Sequence, residues 1–261
     1  MSRYAEMFAR LGNSGAFGAF LMLGDPDFET CATLLDACAA GGADMIEVGI
    51  PFSDPVADGP VIQEAAIRAL TAGARVDDAF RQIAQFRSRR PEIPIGILTY
   101  ANLLAARGEA KFMADAVAAG ADSILVADVP SLEAAPYAAA AREAGIDLVM
   151  VAAPNTPDAV VERIAAFSAG YTYCVARGGV TGTRADLMLD HDALFASLAE
   201  HNAPPPVLGF GISTPGHVRQ ALAAGAKGVI TGSAIVKLVT ESDAPARIEA
   251  FVREMKAATL D

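Results

Sequence analysis

The sequence predicts an α/β chain of the (β/α)8 TIM-barrel type, with an extra N-terminal helix ahead of the first strand. Three observations carry that expectation. The length, 261 residues, suits one barrel, so residues 1–261 read as a single (β/α)8 barrel domain. A short unit recurs: Ala40-Gly41-Gly42-Ala43-Asp44, Ala118-Ala119-Gly120-Ala121-Asp122, Glu143-Ala144-Gly145-Ile146-Asp147 and Ala223-Ala224-Gly225-Ala226-Lys227. Each follows an alanine-rich helical stretch and precedes an apolar, β-branched run, so the glycine marks a helix end in a left-handed turn. Gly120, Gly145 and Gly170 stand 25 residues apart, which is one strand plus one helix per interval. Finally, the β-like runs are almost continuously apolar, as expected of parallel strands covered on both faces.

The elements follow in order. Tyr4, Met7, Phe8 and Leu11 recur at helical spacing between Ser2, a capping residue, and Gly12, a stop. That pattern is a helix and not a signal peptide. Strands are expected at 16–23, 44–49, 93–99, 123–127, 147–152, 171–176, 207–211 and 228–232. Helices are expected at 28–40, 61–72, 77–89, 110–119, 132–144, 157–167, 215–224 and 244–257. The alternation favours a closed barrel over an open doubly wound sheet, because no G-x-G-x-x-G follows the first strand. Pro204-Pro205-Pro206 is too short for a linker and reads as a stiff lead into the seventh strand.

Composition narrows the function classes. With 53% hydrophobic and 20% charged residues, the chain can bury a large core and is not a disordered segment. A formal net charge of −11 opposes binding to nucleic acid or to an anionic membrane surface. A phosphate ligand must therefore be held by local donors and not by a general positive field. No apolar run reaches transmembrane length. Cys31, Cys38 and Cys174 form no CxxC pair and their number is odd, which points to a reducing, cytoplasmic setting.

In barrels of this type chemistry gathers where strands end. Glu47 lies inside the second strand, on the same face as Met45 and Gly49. A carboxylate there is costly unless paired or used, so it reads either as half of an internal salt bridge or as an acid–base group. The four lysines, Lys111, Lys227, Lys237 and Lys256, lie at no strand's C-terminal end, which favours the second reading. Asp58, alone, is an ordinary Asp-Gly turn. Beside Glu47 it makes a second carboxylate at one mouth, and such a pair can divide acid and base roles. Asp25 and Asp27 read as turn and helix-cap residues, and Asp128 as a brace for loop amides. Tyr100 follows the third strand and Tyr173 lies on the sixth. Gly182, Gly209, Gly211 and Gly232 let backbone N–H groups approach an anion, and Ser233 adds a hydroxyl at a helix start. Three such strand ends in a row favour a phosphate. No lysine is placed for Schiff-base chemistry, and His191, His201 and His217 have no ligand spacing and read as surface or capping residues. The expected chemistry is acid–base, without a metal.

The run Glu47-Val48-Gly49-Ile50-Pro51-Phe52-Ser53-Asp54-Pro55-Val56-Ala57-Asp58-Gly59-Pro60-Val61-Ile62-Gln63 resembles the signature of the tryptophan synthase alpha subunit family. Leu125-Val126-Ala127-Asp128-Val129-Pro130, Gly170-Tyr171-Thr172-Tyr173, Gly179-Val180-Thr181-Gly182, Gly209-Phe210-Gly211-Ile212-Ser213 and Gly232-Ser233-Ala234-Ile235-Val236-Lys237 resemble further blocks, in family order. The resemblance implies a lyase that cleaves indole-3-glycerol phosphate to indole and glyceraldehyde 3-phosphate in tryptophan biosynthesis. It implies Glu47 as acid–base, Asp58 at the indole N–H, and Tyr173, with Tyr100, at the substrate. It implies Phe20, Leu98, Leu125 and Phe210 around the indole, and Gly182, Gly211, Gly232 and Ser233 around the phosphate. Arg177 to Arg184 reads as a lid in which Thr181 reaches Asp58. The chain departs from the family pattern at Ala176-Arg177-Gly178-Gly179, where serines often flank the arginine, which bears on the lid and not on the reaction. This chain needs no cofactor by this reading. The implied partner is a beta subunit carrying pyridoxal phosphate in an α2β2 complex, near the Asp54-Pro55 loop and Asn102-Leu103. A stand-alone indole-glycerol-phosphate lyase, a phosphate-binding isomerase and a catalytically silent activator of the beta subunit are the competing readings.

Overall fold

In a computed structural model, which describes residues 2–175 and 191–260, the strands form one parallel sheet. The extra helix is present: α1 (Arg3–Leu11) starts at Ser2, whose hydroxyl accepts from the Ala5 N–H. Then follow β1 (Ala16–Met22), α2 (Phe28–Ala40), β2 (Met45–Gly49), α3 (Pro60–Thr71), α4 (Val76–Arg89), β3 (Ile95–Thr99), α5 (Ala101–Arg107), α6 (Glu109–Ala119) and β4 (Ser123–Val126). A 3-10 turn at Ser131–Glu133 leads into α7 (Ala135–Ala144), β5 (Asp147–Leu148), β6 (Val151–Ala152), α8 (Asp158–Phe167) and β7 (Thr172–Val175). The chain continues with α9 (Asp192–Glu200), β8 (Pro206–Gly209), α10 (Pro215–Ala223), β9 (Gly228–Thr231), α11 (Ser233–Leu238) and α12 (Ala244–Ala257).

The fifth expected strand is divided into β5 and β6, and this division closes the barrel. Its first half bonds to β4, with the Asp147 N–H donating to Asp122 O at 3.0 Å and the Val149 N–H to Ile124 O at 2.8 Å. Its second half pairs with β7, where the Tyr173 N–H donates to Met150 O at 3.0 Å. One extended segment thus serves two neighbours in turn. The remaining order runs β4-β3-β2-β1-β9-β8-β7. Three helices lie outside the ranges expected from periodicity: α5, α9 and α11, the last foreseen only as a helix start at Ser233. The first is only 7 residues long and begins one residue after β3. Asp128 supports it by accepting the Ala101 N–H at 2.8 Å, the bracing role its position suggested.

Strand alternation sorts the core into two layers. Phe17, Ala19, Leu21, Ile46, Val48, Ile95, Ile97, Ile124 and Val229 face the helices. Ala16, Phe20, Met22, Met45, Leu125, Val149, Tyr171, Tyr173, Val207 and Ile230 fill the barrel. Tyr4 and Met7 of α1 join this inner layer, with Phe8 and Leu11 packed against it, so α1 plugs the floor. Gly120 and Gly145 end α6 and α7 with φ of +94° and +79°, a left-handed turn that residues with a Cβ adopt poorly.

Candidate active site

At the strands' C-terminal end a cleft opens to solvent. Phe20, Leu98, Tyr173, Phe210 and Ile230 form its apolar walls, with Ile62 from α3. Gly211, Ile212, Ser213, Gly232, Ser233 and Ala234 form its rim on the β8 and β9 side. Glu47 and Asp58 are its two carboxylates, and among the described residues no lysine or arginine lines it.

The alternation of β2 puts Glu47 in this interior, where it is 3% exposed. Among the described residues no cation pairs with it, so the internal salt bridge finds no partner there. Its partner is Tyr171, whose hydroxyl donates to Glu47 Oε1 at 3.0 Å. Burial dominates its acidity and pushes the carboxyl up to about 7, helped by the negative charge of Asp58 and opposed by the tyrosine's hydrogen bond. A carboxyl near neutrality can both give and take a proton at physiological pH.

Asp58 is also buried and arrives by a different route. The loop between β2 and α3 folds back, with the Asp58 N–H donating to Pro55 O at 3.1 Å and Gln63 Nε2 to Asp58 O at 2.8 Å. The Tyr100 hydroxyl donates to Asp58 Oδ2 at 2.8 Å, and the Tyr100 ring stacks on Phe52. Burial raises its pKa above the ordinary carboxylate value, while the tyrosine bond opposes the rise. Tyr100 therefore stands behind Asp58 and is not on the cleft wall.

Tyr173 crosses the barrel beside Gly209, where a Cβ would overlap its hydroxyl. Its ring meets Phe210 edge-on, with centroids 5.6 Å apart. Phe210 takes a φ of +60° and Gly211 of +86°. For Phe210 that left-handed backbone costs about 1–2 kcal/mol, so surrounding contacts must hold it.

Of the residues expected from sequence, Phe20, Glu47, Asp58, Leu98, Tyr173, Phe210, Gly211, Gly232 and Ser233 meet at the cleft. Leu125 lies in the barrel interior with them but not on the cleft surface. Thr181, Gly182 and the whole Arg177–Arg184 segment fall outside the described residues. Three expectations are corrected. Asp25 does not merely shape a turn: it is buried and accepts Nε and Nη2 of Arg68, each at 2.8 Å. His191 and His217 are buried and not surface residues, although His191 and His201 do hold the N-cap and C-cap positions of α9. Sequence reasoning missed Tyr171 as the partner of Glu47. Its place two residues before Tyr173, on the same strand face, was the available signal.

The two ends of the cleft differ in chemistry: two carboxylates against aromatic walls, and a glycine-rich rim. Fold and site together define a barrel enzyme that works by proton transfer. The chain belongs to the tryptophan synthase alpha chain family, whose model matches residues 8–260. It is 48% identical over 266 residues to the tryptophan synthase alpha chain of Shewanella amazonensis, spanning 99% of this chain and 100% of the relative. Among solved structures, tryptophan synthase subunit alpha from Legionella pneumophila superposes with a TM-score of 0.87 at 30% identity, covering 99% of this chain and 98% of that one. A chain of the tryptophan synthase α2β2 complex of Pyrococcus furiosus gives 0.85 at 37% identity, covering 93% and 98%.

Proposed function

We propose that Glu47 and Asp58 carry out in this cleft the alpha reaction of tryptophan synthase, the cleavage of indole-3-glycerol phosphate to indole and glyceraldehyde 3-phosphate. The observation that carries the reading is a buried carboxyl held near neutrality, with no cation beside it among the described residues, next to a second carboxylate and an apolar slot. A proton delivered to indole C3 makes the ring a leaving group. Loss of the proton from the adjacent glycerol hydroxyl lets that carbon become an aldehyde, and the C–C bonding electrons return to the ring. Glu47 serves one or both proton transfers. Asp58 stabilises the positive charge that grows on the indole by accepting its N–H.

Phe20, Leu98, Leu125 and Phe210 form the indole pocket, and Tyr173 positions the substrate. Tyr100 orients Asp58. Gly211, Gly232 and Ser233, with Gly182, hold the phosphate through local donors, as a chain of net charge −11 requires. Thr181 reaches Asp58 from a lid at Arg177–Arg184. No step draws on a cofactor from this chain. Among the described residues no group of three or more His, Cys, Asp or Glu could hold a metal. A loss of activity in EDTA that a divalent ion restores is the result that contradicts this mechanism.

The partner is a beta subunit with pyridoxal phosphate, in an α2β2 complex that consumes the indole. The loop carrying Asp58 presents Val56, 73% exposed, to the outside, so a partner resting there acts directly on the catalytic aspartate. The protein works in the cytoplasm, as one barrel domain over residues 1–261. No helix among the described residues is long and apolar enough to cross a membrane. The deciding measurement is indole release by the isolated chain, then with saturating beta subunit. Release that rises with the partner is expected. No release in either condition overturns the reading, and release unchanged by the partner favours a stand-alone indole-glycerol-phosphate lyase.

A further inference from the structure

One buried histidine outside the catalytic pair sits against the cleft rim. His217 lies in the first turn of α10 and is 8% exposed. Its backbone N–H is fixed by the Thr214 hydroxyl, which caps the helix. Its Nδ1 lies 3.1 Å from Gly211 O, 3.3 Å from Ser213 N and 3.4 Å from Ser213 Oγ. A single ring nitrogen therefore stands at the centre of the turn Phe210–Ser213, whose last three residues line the cleft.

We infer that His217 is a positioning residue for the phosphate end of the cleft: it fixes the 210–213 turn so that the backbone donors of Gly211, Ile212 and Ser213 face a phosphate monoester. Either tautomer ties the turn to α10. With hydrogen on Nδ1 the ring donates to Gly211 O, which leaves the Ser213 N–H and hydroxyl free for an anion. Without it the ring accepts from Ser213 and withdraws those donors. Binding of a phosphate therefore selects the first arrangement, because only that one offers Ser213 to the ligand.

Two further observations make this more than a packing contact. Phe210 and Gly211 both hold left-handed backbone, and such a turn persists only where its surroundings over-determine it. The same turn sets the Phe210 ring against Tyr173, so one imidazole controls both the rim and an aromatic wall. The cleft also has no cationic side chain among the described residues, which leaves binding to correctly aimed amides and hydroxyls.

This inference rests on the phosphate end assigned above. Its test uses three variants of the full chain. His217→Ala removes the ring, His217→Leu keeps most of its volume without a donor, and His217→Asn keeps an N–H near the position of Nδ1. Each is read by kcat and KM for indole-3-glycerol phosphate, and by calorimetric titration with glycerol 3-phosphate, which lacks the indole. For the alanine and leucine variants we expect KM and the glycerol 3-phosphate Kd to rise together by about three- to tenfold, with kcat changed less than twofold. His217→Asn is expected to recover most of the affinity. A lowered Tm with KM and Kd unchanged means a purely structural histidine and overturns the proposal, as does an asparagine variant no better than leucine. If the parent binds glycerol 3-phosphate but releases no indole, the catalytic reading fails while the histidine assignment is still decided by Kd.

Discussion

The carboxylates of the barrel floor and those that line the cleft are held in opposite ways. On the floor, Asp122 accepts from Arg3 at 2.8 Å, from Arg87 at 2.5 Å and from the Ile95 N–H at 2.8 Å. Asp44 accepts from Lys256 at 2.7 Å and from the Phe17 N–H at 2.8 Å. At the mouth, Glu47 and Asp58 have tyrosine hydroxyls and each other. A cation fixes a carboxylate in its charged form and makes it a brace between elements. A neutral hydroxyl leaves it able to change its protonation state. The same residue type is thus a fixed brace on the floor and is left able to titrate in the cleft, and the difference lies in what stands beside it.

The sharpest way to break that contrast is Glu47→Gln, which keeps shape and removes the titration. Turnover is expected to fall by roughly 10²–10⁴-fold, measured as indole release. A variant that keeps more than about a tenth of the parental rate rules Glu47 out as the proton-transfer group. The sign of the stability change is a second check. A carboxyl raised from 4.5 to about 7 by folding remains protonated in the native state while the unfolded chain ionises. Its contribution is therefore full below pH 4.5 and is lost as pH rises through 7. Relative to the parent, Glu47→Gln is expected to gain stability between pH 5 and pH 8, by up to about 3 kcal/mol. Denaturant titrations at the two values measure it, and a loss at pH 8 contradicts the raised pKa.

Asp122→Ala is the counterpart on the floor. It leaves Arg87, 12% exposed, without its charge partner, and breaking such a pair costs about 3–5 kcal/mol. Arg3 is 40% exposed and lowers that figure, so about 3 kcal/mol is expected. Indole release per folded molecule is expected to stay within about twofold of the parent, since residues away from a site usually leave it intact. A collapse of turnover at full folding, read beside the denaturation midpoint, removes the division of labour between the ends.

The contrast was only half legible in the sequence. Apolar runs and glycine spacing gave the strands, because parallel strands covered on both faces have little freedom of composition. Glu47 stood out since a charged residue inside such a run is costly. What surrounds each carboxylate was not legible. Asp122 meets Arg3 across 119 positions and Asp44 meets Lys256 across 212, distances over which spacing carries no information. Asp25 looked like a turn residue because its partner Arg68 lies 43 positions away, beyond α2 and β2. Tyr171 was within reach, since it shares an inward face with Tyr173. Tyr100, expected on the substrate, stands behind Asp58 because the β2–α3 loop folds over it.

The smallest expected effect is also the one that isolates the hydroxyl's role. Tyr171 donates to Glu47 Oε1, and this bond favours the charged carboxylate while burial opposes it. Beyond Tyr171 the inner layer continues to Tyr4, whose ring centroid is 5.2 Å away and whose hydroxyl meets Ser123 Oγ at 2.8 Å. Tyr171→Phe removes a single oxygen and leaves the ring stack and the floor in place. Without the donor, burial acts unopposed and the pKa of Glu47 rises further above 7. A hydrogen bond to a charged group contributes about 1.5–3 kcal/mol, so the shift is about one unit or somewhat more. The limb of the pH–rate profile that reports Glu47 is expected to move to higher pH by that amount, while the plateau rate changes less than about threefold. Tyr4→Phe, one step further from the carboxyl, is expected to leave the limb where it is and to lower the unfolding midpoint slightly. If Tyr171→Phe lowers the plateau with no movement of the limb, the hydroxyl only packs the barrel. If both variants move the limb equally, the tyrosines act through a general change of the interior and not through the bond to Glu47.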